Sequence, residues 1–379
     1  MRLKSTMKNH RIQKARHLSA RARVALVCGL VAFIGMQVGL PMIAGSDNSA
    51  IRDPLYEIKL TKLRERLQEH PQRPLILVLG SSRPAAGLRP DLWQGLAASD
   101  RTPMVFNFAM AGVGPRQQLI YLRRILSEDI HPAAVMIEIL PALLNQGANS
   151  CEDYAIKTHG MQAEELASLA GHSVPKRFPN SAPSADSDWS SYWPSLRLRV
   201  LRRFAPAWIE TDVNSNASPK HFTPWGWRAF AEGVKVATAE EHRRGMERGR
   251  ADYGAALADW KVTAVADRAV RQMLEICRQE QMSAALYLMP EATDFREMYR
   301  PEVRAALNDY LAAMTQDCGV PVLDATEWNA DQDFWDGHHL LADGATHFTQ
   351  RFCHEFLDTF AAKLGDSPRL SQGPLNQRQ

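Results

Sequence analysis

Two short stretches at opposite ends of the chain carry the residue types of nucleophilic catalysis. The first is an apolar run, Leu75 to Leu79, followed by a glycine and two serines, of which Ser82 is the second. The other is FWDGHHLLADGA, residues 334–345, which holds Asp336 and His339 three positions apart. A serine hydroxyl becomes a useful nucleophile only when a histidine takes its proton and a carboxylate orients that histidine. The sequence therefore predicts acyl chemistry with Ser82 as nucleophile, His339 as base and Asp336 as the orienting acid.

The pattern around these stretches predicts a fold that can join them. The run before Ser82 is too short for a stable helix and is bounded by turn residues, which is typical of a buried parallel strand. Its carboxyl end, where Ser82 lies, is where ligands bind in open α/β sheets. Further strands are predicted at 104–109, 133–140, 283–289 and 320–323, and helices at 53–70, 89–98, 116–127, 264–280, 301–315 and 342–363. This alternation predicts an α/β fold, a three-layer α/β/α sandwich with a mostly parallel sheet of about five strands.

One long stretch interrupts the alternation. Residues 145–262 show poor periodicity, and a connection this long inside a compact domain is usually functional or partly disordered, so we interpret it as an inserted cap. Trp225 and Trp227 within it are interpreted either as platforms for sugar rings or as ordinary core residues. The predicted segments are a basic cytoplasmic tail at 1–23, a transmembrane anchor at 24–44, the α/β domain at 45–144 and 263–364, the cap at 145–262 and a disordered tail at 365–379.

The N-terminal region predicts attachment to a membrane. Residues 1–23 hold eight Lys or Arg and no acid, so subtracting 8 from the net charge of +3 leaves −5 for the rest. Residues 24–44 then carry no charge, and at ~1.5 Å per residue they are long enough to cross a ~30 Å hydrocarbon core. The positive flank predicts a single-pass anchor with a cytoplasmic N-terminus and an extracytoplasmic, periplasmic-side domain. A cleaved signal peptide is the competing interpretation, and an arm for nucleic acid is a third, which the adjoining span disfavours.

The quoted motifs resemble those of the SGNH, or GDSL-like, hydrolase superfamily. Its first block places a nucleophilic serine after a strand, matched here by Gly80-Ser81-Ser82, and its last block, D-x-x-H, is matched by Asp336-Gly337-His338-His339. Its second block supplies a glycine to the oxyanion hole, and Gly112 in NFAMAG stands there. The resemblance covers about residues 74–140 and 282–350. It implies an oxyanion hole built from the backbone N–H groups of Ser82 and Gly112.

The third block departs from the superfamily pattern. An Asn is expected just after the third strand, where this chain has Glu138 in the sequence EILP. Asn145 follows a few residues later and is the candidate replacement donor. Losing one oxyanion donor typically costs about 10²–10³ in rate. A slow esterase, a transferase and a degenerate site all stay open at this point.

Single residues also have plainer interpretations. Ser82 alone could be a turn hydroxyl that caps the next segment, and His338 competes with its neighbour His339 as base. Arg83 is predicted to bind an anionic substrate group, with a structural salt bridge as the equal alternative. A metal cluster of Asp336, His338, His347 and His354 is disfavoured, because the last two lie seven residues apart on a helix without a shared loop.

The predicted function is hydrolysis or transfer of an O-acyl ester by a serine-dependent esterase or acyltransferase. G-S-S variants resemble membrane-tethered relatives that act on cell-surface polymers, so the resemblance implies an acylated carbohydrate or envelope polymer as substrate. No metal or organic cofactor and no nucleic-acid partner is implied. The alternatives are a non-catalytic protein that binds glycan or assembles with a partner through the same crevice, and an esterase directed at lipids.

Overall fold

The computed structural model describes residues 22–35, 53–95, 102–145, 152, 156, 161, 165, 221–357 and 360. The chain divides into two compact units, Met1–Arg52 with Ala185–Thr211, and Asp53–Ser184 with Asp212–Gln379. In the first unit, residues 22–35 form a helix. No helix among the described residues is long and apolar enough to cross a membrane. The predicted anchor at 24–44 runs beyond that helix and stays a prediction.

The second unit is built on a five-stranded sheet in which every pair of neighbours is parallel, in the order β2-β1-β3-β4-β5. The strands are β1 Leu75–Leu79, β2 Met104–Asn107, β3 Ala134–Glu138, β4 Ser283–Leu288 and β5 Val322–Asp324. The α-helices are α1 Pro54–Glu69, α2 Ser82–Gly87, α3 Pro90–Gly95, α4 Pro115–Ser127, α5 Pro141–Leu144, α6 Ala239–Ala258, α7 Ala264–Gln279, α8 Thr293–Arg296, α9 Pro301–Cys318 and α10 Ala342–Phe352. Because all strands run the same way, their carboxyl ends meet at one edge.

Helices cover both faces of this sheet. Alternate side chains of β1 enter different clusters, since successive residues of a strand point to opposite faces. Leu75, Leu77 and Leu79 pack into the cluster that includes α1, α4, α7 and α9, whereas Ile76 and Val78 pack into the cluster with α3 and α10. All five β1 side chains are therefore buried. The predicted α/β class and five-stranded parallel sheet are confirmed.

The observed elements differ from the predicted ones mainly at their ends and in the cap. The last helix is predicted to run to residue 363. The α-helix covers Ala342–Phe352, a π-helical turn, Cys353–Leu357, continues it, and Phe360 is again helical, while residues 358, 359 and 361–363 lie outside the described residues. The 20-residue helix α6 was not predicted, because most of its residues are charged or small and only four of them are buried, two of which are glycines. Its start is nevertheless encoded by a capping box of Thr238 and Glu241.

Several predictions fall outside the described residues. The tail at 365–379, the basic segment at 1–21 and most of the cap between 146 and 220 are among them. The predicted boundaries of tail, anchor and cap therefore stay predictions.

Candidate active site

The turn after β1 presents Ser82. The side chain of Ser81 caps helix α2 by accepting the Arg83 backbone N–H at 3.2 Å, which makes Ser82 the first helical residue. Gly80 is required for this turn, because a Cβ there would lie 2.5 Å from Cγ of Pro84 and 2.7 Å from Oε2 of Glu138. Strand, glycine and cap together place the Ser82 hydroxyl at the carboxyl edge of the sheet.

The loop after β5 presents Asp336 and His339. Phe334 and Leu340 form an isolated antiparallel bridge, so the loop turns back on itself like a hairpin. Gly337 at its tip has a φ of +82°, in the left-handed region that favours glycine. The Oδ1 atom of Asp336 accepts the backbone N–H of His339 at 2.9 Å, which fixes the two side chains relative to each other.

These two segments meet in a continuous hydrogen-bonded chain. The Nε2 atom of His339 lies 2.7 Å from Oγ of Ser82, and its Nδ1 atom lies 2.8 Å from Oδ2 of Asp336. Asp336 and His339 are buried, while Ser82 is partly accessible. The structure thus brings together residues separated by more than 250 positions, in the geometry that nucleophile, base and orienting acid require.

The charge on Asp336 determines which nitrogen of the neutral His339 imidazole carries the proton. Burial by itself would raise the pKa of Asp336, but the charges of His339 and His338 and the hydrogen bonds from His339 outweigh burial, so the pKa is lowered. An ionised carboxylate can only accept, so Nδ1 of His339 carries a proton toward it. When the imidazole is neutral, Nε2 is then free to accept the proton of the Ser82 hydroxyl.

His338 has a different environment from its neighbour. Its ring packs against Phe295 at 4.9 Å and Tyr253 at 5.4 Å between ring centroids, and its Nδ1 faces the Asp336 backbone oxygen at 3.2 Å. Burial, together with the charges of His339 and Arg83, lowers the pKa of His338 to about 3. This histidine is therefore neutral near pH 7 and packs as an aromatic core residue. The hydrogen bond to Ser82 belongs to His339 alone of the two.

Part of the predicted cap closes the site from the other side. The ring of Phe230 stacks on the imidazole of His339 with centroids 4.0 Å apart and planes 10° apart. Helix α6 packs on the catalytic loop through a glycine, since a Cβ on Gly245 would lie 2.3 Å from the Cβ of Asp336. The segment before α6 is tied to the sheet where the Asn107 backbone N–H donates to the Trp225 oxygen at 3.0 Å. The cap and the sheet therefore both contact the loop that carries Asp336 and His339.

The two cap tryptophans behave as structural residues. Trp227 is buried, and its indole N–H donates to the Ala86 backbone oxygen at 2.6 Å. Trp225 is partly buried and stacks on His70 with centroids 5.9 Å apart. These contacts favour the core interpretation over the sugar-platform interpretation of both residues.

Among the described residues, the backbone N–H groups of Ser82 and Gly112 at the carboxyl edge have no hydrogen-bond acceptor. Ser82 opens α2, where the N–H groups of a helix have no acceptor within it. Gly112 has a φ of +74° in the turn after β2, which is the neighbour of β1. These two N–H groups are the candidate oxyanion donors.

The predicted donor Asn145 is engaged elsewhere. Its amide nitrogen donates to the backbone oxygens of Ala256 at 2.6 Å and Asp259 at 2.7 Å, at the end of helix α6. Both amide hydrogens are used by these bonds. Asn145 therefore fastens α6 to the turn after β3, and the oxyanion role expected for it does not fit this position.

The position expected to hold a third-block Asn is filled by a buried acid. Glu138, the last residue of β3, is 1% exposed, and its Oε2 accepts the Ser81 backbone N–H at 2.5 Å. Burial raises the pKa of Glu138, although the charge of Arg83 and the hydrogen bonds from Ser81 oppose the shift. This carboxyl group holds the turn that presents Ser82, through the residue directly before it.

Arg83 is a structural residue and not a substrate ligand. Its side chain is 1% exposed, pairs with Glu291 at 3.1 Å and donates to the backbone oxygens of Met289 and Pro290 at 3.0 Å each. Glu291 also accepts the hydroxyl hydrogen of Tyr299 at 2.9 Å. Of the two interpretations of Arg83, the structure therefore favours the salt bridge, because a guanidinium group enclosed in this way is not accessible to a substrate.

One set of side chains could coordinate a metal ion. Among the described residues, Asp336, His338 and His339 offer ligand atoms within 4.8 Å of one another. Asp336 and His339 are the two residues of the hydrogen-bonded chain to Ser82, so a metal ion bound there would displace the contacts that orient His339. His347 lies elsewhere, facing Asp333 at 3.4 Å.

Two contributors to the site had no clear sequence signal. Phe230 and Gly245 lie in the stretch without periodicity, where nothing marks a ring or a glycine as facing the catalytic loop. Glu138 did carry a signal, since an acid at the end of an otherwise apolar strand needs a buried partner. Its contact with the Ser81 turn follows from the register of β1 and β3.

A family model described as "Protein of unknown function (DUF1574)" matches residues 40–159, less than half of the chain. The matched range contains Ser82 and ends before Asp336 and His339. No curated protein matches the chain.

One similar solved structure is the crystal structure of a "putative acylhydrolase" from Bacteroides fragilis NCTC 9343. It is 12% identical in sequence, the match covers 79% of this chain and 96% of that one, and the TM-score is 0.34. A likeness at this TM-score carries no argument about fold or activity.

Proposed function

We propose that the protein is a serine-dependent enzyme that hydrolyses or transfers O-acyl esters of a cell-envelope carbohydrate or polymer. The observation that carries the proposal is the hydrogen-bonded chain from Ser82 through His339 to Asp336, with distances of 2.7 and 2.8 Å. Geometry of this kind is the requirement for an activated serine, and it does not depend on any resemblance.

The proposed mechanism follows from the proton positions. The Ser82 oxygen attacks the acyl carbonyl carbon while Nε2 of His339 takes the hydroxyl proton. The imidazolium formed is stabilised by the Asp336 carboxylate on one edge and by the face of the Phe230 ring, whose π-electrons attract a cation. The backbone N–H groups of Ser82 and Gly112 donate to the oxyanion. His339 then returns the proton to the leaving alcohol, and water or a second hydroxyl group removes the acyl group from Ser82.

The test is covalent labelling of the full-length protein in detergent with a fluorophosphonate. We expect wild type and Ser81→Ala to be labelled, and Ser82→Ala and His339→Ala to be unlabelled. Ser81→Ala removes a neighbouring hydroxyl group and with it the cap of α2, so we expect it to be labelled more slowly than wild type, in contrast to the complete loss of label in Ser82→Ala. A folded wild type that takes no label, or labelling that survives Ser82→Ala, would remove the proposal.

A second candidate function has one observation in its favour. The side-chain donor expected at the third block is missing, because Glu138 occupies that position and Asn145 is bonded to α6. A protein with this site could hold a glycan or a partner in the crevice without turnover. Labelling of Ser82 separates the two functions, because binding alone needs no activated hydroxyl group. A lipid-directed esterase would instead show activity that increases with acyl-chain length.

We propose further that the protein is a single-pass membrane protein whose catalytic unit lies on the extracytoplasmic side. Supporting observations are the apolar side chains of the 22–35 helix, of which Val24, Leu26 and Val31 are more than 60% exposed, and the basic residues before them. Retention in the membrane after alkaline carbonate extraction is the expected result. Release into the supernatant at the full-length mass would contradict it.

A further inference from the structure

A cavity lies at the same edge of the sheet as Ser82. It is a cavity of about 510 Å³, within the range of about 300–1,000 Å³ typical of small-molecule sites. Its walls come from residues that follow β3, β4 and β5, together with side chains of α9 and α10. We call it the arginine cavity, after three lining residues, Arg296, Arg304 and Arg351. Neither Ser82 nor His339 lines it, so it is separate from the catalytic chain.

Two of the three arginines present unused donors. Arg351 stacks over the ring of Trp328 at 4.5 Å and donates from Nε to Glu355 at 2.7 Å. Arg304 lies over the Tyr299 ring at 5.9 Å and donates from one terminal nitrogen to the Arg296 backbone oxygen. Within the described residues, the remaining guanidinium nitrogens of both have no hydrogen-bond partner. Planar guanidinium groups fixed in this way suit carboxylate or phosphate oxygens.

The third arginine and the acids of the cavity are already paired. Arg296 donates to backbone oxygens of Glu291 and Thr326, and its Nε lies 4.0 Å from the carboxylate of Glu327. Glu291 is neutralised by Arg83. Asp324 uses Oδ1 to accept the Thr326 backbone N–H at 3.0 Å and its hydroxyl hydrogen at 2.6 Å. With Glu291 paired to Arg83, the charges of Arg296, Arg304 and Arg351 are balanced by those of Asp324, Glu327 and Glu355. A preference for an anion therefore rests on the N–H donors of Arg304 and Arg351 that remain open.

The cavity is joined to the reactive serine by one buried ion pair. Glu291 and Tyr299 form part of its wall, and Glu291 binds the guanidinium of Arg83, the residue directly after Ser82. The cavity and Ser82 therefore share the carboxyl edge of the sheet, with the Arg83–Glu291 ion pair between them. A small ester needs no such second site, whereas a polymer can use one to hold the units beside its reacting ester.

We propose that the arginine cavity binds a carboxylate- or phosphate-bearing unit of the carbohydrate whose ester reacts at Ser82. The proposal rests on the proposed function for the identity of the ligand as the reacting carbohydrate. The anion preference of the cavity is argued separately, from the open N–H donors of Arg304 and Arg351.

The test is calorimetric titration of the full-length Ser82→Ala protein in detergent, so that binding is measured without turnover. The probes are trigalacturonate for carboxylates, glucose 6-phosphate for phosphates and maltotriose as a neutral sugar. We expect one of the two anions to bind at least about tenfold more tightly than maltotriose, with affinity falling as salt rises. Equal binding of maltotriose, or no binding of either anion, would overturn the proposal.

Variants locate the binding. Adding Arg304→Glu should weaken the anion at least about tenfold, and Arg304→Gln, which keeps an N–H donor for the Arg296 oxygen, should weaken it less. Arg268→Glu is the matched control, an exposed arginine on α7 outside the cavity, and should leave binding unchanged. Equal effects of Arg304→Glu and Arg268→Glu would exclude the cavity as the site.

Labelling keeps the two proposals distinguishable. With Ser82 present, fluorophosphonate should react with Arg268→Glu as it does with wild type. Labelling without anion binding would reject the cavity and keep the serine enzyme. Anion binding without labelling would reject the enzyme and support the glycan-binding alternative.

Discussion

The loop that carries Asp336 and His339 is held from two sides by different physical means. On the sheet side, directional polar contacts act: the Ser82 hydroxyl meets His339 at 2.7 Å, and Glu138 fixes the preceding turn through the Ser81 N–H. On the cap side, contact is steric, with the Phe230 ring stacked on the imidazole and Gly245 against Asp336. The polar contacts join Ser82, His339 and Asp336, and the close packing restricts where the loop can lie. Substitutions on each side measure how much each contributes.

The largest effect is expected at Gly245. An alanine Cβ there would lie 2.3 Å from the Asp336 Cβ, so Gly245→Ala must push the loop or α6 aside. A displacement of about 1 Å in a catalytic group can cost about 10²-fold, and we expect the fluorophosphonate labelling rate to fall by about that factor.

Gly254 in the same helix provides the matched control. A Cβ at this position would meet nothing within 4 Å. Gly254→Ala should leave the labelling rate unchanged and raise stability by up to about 1 kcal/mol, since alanine favours a helix over glycine. Unchanged labelling in Gly245→Ala would mean that the cap does not position the loop.

The next effect concerns the sheet side. Glu138→Leu removes the acceptor of the buried Ser81 N–H, which should lower the free energy of unfolding by about 1–3 kcal/mol and slow labelling of Ser82. Glu138→Gln keeps a carbonyl oxygen for that N–H and should restore most of both losses. Urea unfolding and labelling rates measure them. If Gln behaves like Leu, the negative charge rather than the acceptor is what the turn requires.

A smaller effect is expected from the ring over His339. Aromatic pairs contribute about 0.5–1.5 kcal/mol beyond burial, so Phe230→Leu should slow labelling by about two- to tenfold. Phe230→Tyr keeps the ring and should label like wild type. Thermal unfolding of both variants distinguishes loss of stacking from loss of fold. A Leu variant as fast as wild type would limit the cap-side contribution to α6.

These contrasts explain what the sequence could predict. The strand before Ser82 and the Asp-x-x-His loop are local patterns, so the parallel sheet and the three members of the hydrogen-bonded chain could be read from types and spacing. Phe230 contacts His339, which lies 109 positions later in the chain. The path of the Phe230 segment is set by backbone hydrogen bonds to β2 and α2, and no periodicity in the sequence predicts it. For Arg83 the sequence left a substrate group and a structural salt bridge equally open, and for Asn145 it suggested an oxyanion, because polarity reveals a need for partners without saying which they are.

The smallest effect on labelling of Ser82 is expected at His338, where a substitution should instead change how the free energy of unfolding depends on pH. Burial lowers the pKa of His338 from 6.5 to about 3, so between those values the unfolded chain binds a proton that the folded protein does not. The free energy of unfolding is therefore not reduced by this group above about pH 6.5. Below that pH it falls, by at most about 1.4 kcal/mol per pH unit. His338→Gln removes this contribution. The raised pKa values of Glu138 and Glu291 act in the opposite direction in both proteins and cancel in the comparison.

Urea unfolding of wild type and His338→Gln at pH 7.5 and pH 5 measures the difference. We expect the variant to be less stable at pH 7.5, because it loses ring contacts with Phe295 and Tyr253, and to lose less stability than wild type on going to pH 5. Parallel losses would show that His338 is not buried in its neutral form. The same variant should still label at Ser82, because the bond from the imidazole to the serine hydroxyl comes from His339.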